Sequence, residues 1–304
     1  MSNAQAVDYK QPEFTLKLTI TGVGVDIRLN DISIEFEKYS GHSTMTYDVN
    51  SSIIAGINEL QVVTFPFFNK IWSEGQTKAY HEEAEVTAAL YVNEQDDSDN
   101  KMLLSQIHLR PGLPLDKAAS ESIPIDGLGD VMLDKKKQPL SFPGLVINQQ
   151  IIATRKSLPV QGNVPRWAWQ DGQIIEDTQE NHDGLLAAYR EIYEAYENKD
   201  REKLLTLHAP RSAEYAIAFY LDGGVDAGHE LLNTGKRLDD ADAKLSEFLV
   251  QGGKFDIYAN GRMARIIDAA EYHPFVFLHK TMDIIYTMKF GFYKNKEGQW
   301  LMIR

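Results

Sequence analysis

A chain of 304 residues is longer than a single hydrophobic core usually supports, so two domains are expected. Hydrophobic residues make up 43% and charged residues 25%, which excludes a disordered chain, and the longest apolar runs, such as Leu145–Ile147 and Pro274–Leu278, are far too short to cross a bilayer. The net charge of −13, from 31 basic and 44 acidic side chains, argues against nucleic acid and anionic membranes as partners, and the absence of cysteine removes disulfides and thiolate chemistry.

The first half reads as β-structure. Phe14, Leu16, Leu18 and Ile20 alternate with polar residues, Thr21-Gly22 marks a turn or irregularity, and Val25, Ile27 and Leu29 alternate again. Asn30-Asp31 supplies turn chemistry before Ile32, Ile34 and Phe36. Further strands are expected at Leu60–Val62, Ala84–Val92, Met102–Leu109 and Leu145–Thr154, with loops at Gln95–Asn100 and Gly112–Asp134. Many short strands without an amphipathic helix predict a β-sandwich over residues 1–158.

Pro159, Gly162, Pro165 and Asp171-Gly172 break the pattern, so residues 159–182 are expected to link the domains. Trp167 and Trp169 lie here, either plugging a domain interface or forming a stacking platform for sugar or peptide. From Asp183, a good N-cap, an α+β domain is expected over residues 183–304. Leu185, Leu186, Tyr189, Ile192, Tyr193 and Tyr196 have helical spacing, Asp200 caps a second helix ended by Ala209-Pro210, and helical pattern continues through Ser212–Leu221 and Val225–Val250. Strands follow at Phe255–Ala259, Met263–Ala269, Phe275–His279, Met282–Tyr293 and Trp300–Ile303.

Two resemblances bear on fold. Leu29-Asn30 and Ile53-x-x-Gly56-x-Asn58-x-Leu60-x-Val62 resemble the turn layout of β-sandwich modules found in carbohydrate-active proteins. Tyr196-x-Asn198-x-Asp200 before Leu204-Leu205, Asn260-Gly261-Arg262-Met263-Ala264, and Phe292–Trp300 resemble the NTF2-like cone fold of the SnoaL and ketosteroid-isomerase superfamily. That second resemblance implies a cone-shaped interior. Where such proteins are enzymes, it implies an Asp or His pair inside the cone, which matches no position here with conviction.

Candidate site residues are few. No zinc spacing, P-loop or nucleophile elbow occurs, so no catalytic residue, metal or cofactor is assigned. Asp96, Asp97, Asp99 and Asn100 lack the rest of a calcium loop, and Lys135-Lys136-Lys137 reads as a solvated turn. Tyr189, Tyr193 and Tyr196 form one helical stripe, with Tyr258, Tyr272, Tyr286 and Tyr293 in the strands; they line either a ligand cavity or a core. The residues expected to bind, if any do, are Trp167, Trp169, Tyr189, Tyr193, Tyr258 and His279. The expected function is non-catalytic recognition of a protein or a glycan by a bacterial protein. Ser2-Asn3-Ala4, which looks like a vector-derived scar, and the lack of cysteine favour export to a periplasm over the cytoplasm. The alternative is an NTF2-like enzyme acting on a small apolar molecule through an acid/base pair drawn from Asp256, His279 (which also pairs with His273 at even spacing) and Asp283.

Overall fold

The computed structural model describes residues 9–66, 80–95, 97, 99–113, 129–132, 152–248, 253–267, 275–279 and 284–304. The fold is β-dominated. The chain divides into two compact units, and among the described residues the division falls between Pro165 and Arg166.

In the first unit, β1 (Pro12–Leu29), β2 (Ile32–Asp48), β3 (Gly56–Phe65), β4 (Glu85–Glu94), β5 (Met102–Leu109), β6 (Gly129–Met132) and β7 (Ile152–Val160) form one antiparallel sheet in the order β5-β4-β1-β3-β7-β6, with β2 on β1. Of the turn or irregularity expected at Thr21-Gly22, the structure shows the irregularity. β1 runs through it as one 18-residue strand. What happens there is a bulge: the β1–β2 register shifts between Thr21 and Val23, and Gly22 takes a φ of +59°. Gly22 faces two β2 residues, Ser40 and Gly41, and the kink keeps the core face of β1 in phase, since Phe14, Leu16, Leu18 and Ile20 are buried before it and Val23, Val25, Ile27 and Leu29 after it. β1 also changes neighbours at this point, pairing Pro12–Thr21 with β4 and Gly24–Leu29 with β3.

The hairpin is folded over at the bulge. Tyr47 and Tyr39 both donate phenolic hydrogen bonds to the Glu35 carboxylate, the Tyr39 bond at 2.6 Å. Glu35 and Tyr47 are 12 residues apart in β2, roughly 40 Å along a straight strand. Their contact requires β2 to double back.

Two buried asparagines fasten the other end. Asn30 and Asp31, both at positive φ, form the two-residue turn between β1 and β2. The Asn30 amide donates to Asn58 Oδ1 at 2.7 Å and to the Ser52 carbonyl at 2.8 Å, and its Oδ1 accepts from Glu59 N. Asn58, fully buried, donates to the Ile54 and Gly56 carbonyls and accepts from Ile54 N. Pro159 belongs to β7, opposite Ile57, so the expected linker begins inside the sheet. Most of the strand expected at Leu145–Thr154, and the Lys135-Lys136-Lys137 run, lie outside the described residues.

The second unit puts helices before strands. Its helices are α1 (Gln179–Glu197), α2 (Arg201–Ala218) and α3 (Val225–Leu231). α1 starts before the expected Asp183, because Thr178 is its N-cap and accepts from Asn181 N; the first turn carries no apolar residue and so gives no periodic signal. Pro210 does not end α2. The missing N–H removes one helical bond, yet the turns beyond it are held by burial of Ser212, Glu214, Ala216 and Ala218. The long helix expected over Val225–Val250 stops at Leu231, where Asn233 and Gly235 take positive φ, and gives way to a 3-10 turn and β8 (Ala243–Leu245).

β9 (Lys254–Tyr258), β10 (Met263–Ile267), β13 (Phe292–Lys294) and β14 (Trp300–Met302) form a sheet in the order β14-β13-β10-β9. β11 (Phe275–His279) and β12 (Ile284–Met288) form a second sheet with β8. The strand expected over Met282–Tyr293 is therefore two strands in two sheets. Gly291 marks the separation: a Cβ there would lie 2.0 Å from Tyr258 Oη, and its N–H and C=O bond to Arg304 and Ile303. The expected linker is also built into this unit, with Gln173 N donating to Lys294 O and Ile175 N to Gly261 O.

Replacing Asn58 by Ala strands Ile54 N and removes one Asn30 partner, so stability should fall by about 2–4 kcal/mol. Urea unfolding of the full chain checks this; a loss below about 0.5 kcal/mol would show the asparagine network to be incidental.

Candidate functional site

The interior of the second unit is aromatic. Helical spacing on α1 directs Leu185, Tyr189, Ile192 and Tyr196 inward, α2 contributes Leu204, the strands contribute Phe275, Phe277 and Phe292, and the connection from β12 to β13 contributes Phe290. These rings pack on one another. Tyr189 lies 4.7 Å from Phe292 between centroids, Phe275 lies 5.0 Å from Phe290, and Tyr196 meets Phe277 edge-on at 5.4 Å.

The tyrosines singled out for binding are held by this packing. Tyr189 donates to the Phe290 carbonyl at 2.8 Å and accepts from Ile266 N, and burial raises its pKa. Tyr193 packs on Phe248 and donates to the Ser246 carbonyl, and burial raises its pKa too. Tyr258 is pushed up to about 12, first by burial, with the Arg265 guanidinium 5.3 Å from its ring centre opposing the rise. All three fill or brace the interior.

Trp167 and Trp169 open the second unit and are buried, at 1% and 3% exposure. Neither indole offers an open face for a sugar to stack on. The 3-10 turn Ala168–Asp171, which Trp167 precedes and Trp169 belongs to, is pinned by Glu214, whose Oε1 accepts from Ala168 N at 2.6 Å while its Oε2 accepts from Arg304 at 2.8 Å.

The acid/base candidates are tied up separately. Asp256 is buried and bound to Arg265 Nε at 2.7 Å, its cross-strand partner in register. His279 is buried in the other sheet, with its Nε2 3.7 Å from Asp240 Oδ2. The structure thus places Asp256 and His279 in different sheets with different partners. Asp283, His273 and Tyr272 lie outside the described residues, as does Asp96; Asp97 accepts both amide bonds of Asn100. Among the described residues no three His, Asp or Glu side chains are placed to hold a metal ion, and no helix is long and apolar enough to cross a membrane.

Sequence reasoning missed His208. Its i+4 and i−4 neighbours on α2 are Ser212 and Leu204, both buried, so the inward stripe was available to find it. The ring is 1% exposed and meets Phe290 edge-on at 5.5 Å and Tyr196 at 6.4 Å. Neither ring nitrogen has a hydrogen-bond partner among the described residues. Burial, then the charge of Arg211 and the neighbouring His229, lower its pKa from 6.5 to about 3. Next to it, Ser212 Oγ and His229 Nδ1 lie 2.7 Å apart where α3 crosses α2, a crossing close enough that a Cβ on Gly228 would sit 1.9 Å from the Ser212 carbonyl. Ser212 is fully buried, so this pair is a brace and no exposed nucleophile.

No family model matches the chain, and no curated protein or solved structure matches it.

A histidine neutral in the fold but protonated in the unfolded chain below 6.5 makes stability fall as pH drops from 6.5 towards 3. Between pH 7 and pH 5 the wild type should lose about 2 kcal/mol more than a His208→Leu variant, from a slope of about 1.4 kcal/mol per pH unit. Parallel denaturation series at the two pH values measure the difference. Equal losses in both proteins would show that His208 is not held neutral.

Proposed function

We propose that this chain is a non-catalytic binding protein that recognises a glycan, using the outer face of the first unit. The observation that carries this reading is the composition of that face. In register across β2, β1, β4 and β5 it presents Thr44, Thr19, Thr87 and, beside them, Lys17, His42, Tyr91, Gln106 and His108. Hydroxyl, amide and imidazole groups at strand spacing supply the directional donors and acceptors that a polyhydroxylated ligand needs. Thr21 already bonds His42 at 3.1 Å, and Glu85 bonds His108 at 2.7 Å, so the face is ordered before a ligand arrives.

The finer fold reading supports the same assignment. We take the first unit to be a β-sandwich of the kind appended to carbohydrate-active proteins, folded at the Gly22 bulge, with the Asn30–Asn58 pair occupying the turn positions of that resemblance. The second unit is read as an NTF2-like cone. Its helices precede its strands, and the closing hairpin sets Lys294 5.9 Å over the Trp300 ring. Against the enzyme alternative stand the Asp256–Arg265 ion pair and the ring-on-ring packing of the interior. A protein partner on the same polar face is the second binding reading.

The test is titration of the full chain with a panel of neutral oligosaccharides, followed by NMR. At least one should bind saturably, shifting resonances of Thr19, Thr87 and His108. A Thr19→Val/Thr87→Val double variant should lose about tenfold in affinity, two hydrogen bonds' worth. Turnover of any small molecule that Asp256→Asn abolishes would overturn the reading in favour of the enzyme.

A further inference from the structure

Carboxylates match several of the arginines that are not fully exposed: Arg28 has Asp26 and Asp31, Arg265 has Asp256, and Arg304 has Glu214. Arg211 is an exception in a chain with 44 acidic side chains. Among the described residues no carboxylate pairs with it. Its guanidinium carbon instead lies 5.4 Å from the Tyr215 ring centre and 5.9 Å from that of Phe290. Ring faces offset part of the cost of an unpaired cation, but they accept no directed hydrogen bond, and Arg211 Nε is buried without an acceptor.

His208, one turn earlier on α2, carries the second orphan. A neutral imidazole has one N–H to donate, and here neither nitrogen has a partner among the described residues. Both side chains flank the same ring, Phe290. Two donors without acceptors among the described residues therefore lie against one ring of the second unit, near a stack in which Tyr215 lies 5.9 Å from Phe219. Buried polar groups left unmet are uncommon in folded proteins and call for an explanation.

We propose that Arg211 and His208 form the seat for the carboxylate of a small aromatic acid, whose ring packs against the Tyr215–Phe219 stack. Arg211 supplies the charge and a fork of donors, and His208 supplies one further N–H. His208 is 1% exposed, so seating the carboxylate against it requires a neighbouring side chain to move. An uncompensated guanidinium is what an anionic ligand requires on a protein of net charge −13, whose field otherwise repels it. This site is independent of the glycan reading, which concerns the first unit.

The experiment uses the full chain with benzoate, inorganic phosphate and chloride as probes at matched ionic strength. Binding is followed by the His208 ring resonance, assigned from a His208→Gln spectrum, and by calorimetry. Benzoate should move that resonance saturably. Arg211→Met should weaken benzoate by tenfold or more, while Arg190→Met, which removes an exposed arginine of α1, should leave it unchanged. Arg211→Lys keeps the charge without the fork and should also weaken binding, which covers a failure of the Met variant to fold. A response to benzoate no larger than to chloride overturns the proposal, as does equal weakening by the Arg190 variant. Phosphate binding as tightly as benzoate overturns the assignment of an aromatic acid.

Discussion

A strand has a side-chain period of two, and the first unit depends on one exception to it. Eighteen residues of β1 must keep a single face in the core while the hairpin bends and trades β4 for β3. Without the positive-φ kink at Gly22, opposite Ser40 and Gly41 of β2, strict alternation would turn Val23, Val25, Ile27 and Leu29 to solvent and the polar residues between them inward. The Glu35 clasp with Tyr39 and Tyr47 and the Asn30–Asn58 pair are consequences of that fold-over. The clasp joins the two halves of β2 across the bend. The asparagines satisfy the backbone where the hairpin tip meets the loop before β3, a place where water does not reach.

The second unit solves a different problem, the joining of helices to short strands through glycines and close approaches. Gly228 lets α3 lie against the Ser212 carbonyl, and Gly291 lets the chain leave one sheet for the other under the Tyr258 hydroxyl. Arg304 and Glu214 then tie the last residue to α2 and, through Ala168, to the turn that opens the unit. The aromatic interior is thereby fixed at its periphery by charged and backbone contacts, while its centre holds rings and the His208 imidazole, which has no hydrogen-bond partner among the described residues.

Much of the first unit was legible because alternation is a local signal. The core positions Phe14 to Ile20 and the turn at Asn30-Asp31 follow directly from residue type. The shift from even to odd positions across Gly22 was legible as well, but a phase change alone does not separate a bulge inside one strand from a turn between two. In the second unit, tertiary contacts overrode local pattern. Pro210 is tolerated because the turns after it are buried, and the apparent helix beyond Leu231 yields to positive-φ residues and to pairing of β8 with β11. His208 escaped notice for a similar reason: a histidine between Leu207 and Ala209 gives no sign that it lacks a partner until the surrounding rings are placed.

The doubled hairpin has a further consequence for how the protein behaves in company. Among the described residues β2 pairs only with β1, and its other side is an edge of the described sheet. A long straight edge offers a ladder on which another chain can add a strand and begin an aggregate. Here the ladder is broken twice in register and bent back until Glu35 meets Tyr47. An incoming strand could follow it for only a few residues before the direction of its hydrogen bonds turned away. The bend that closes the core thus also guards the rim against self-association.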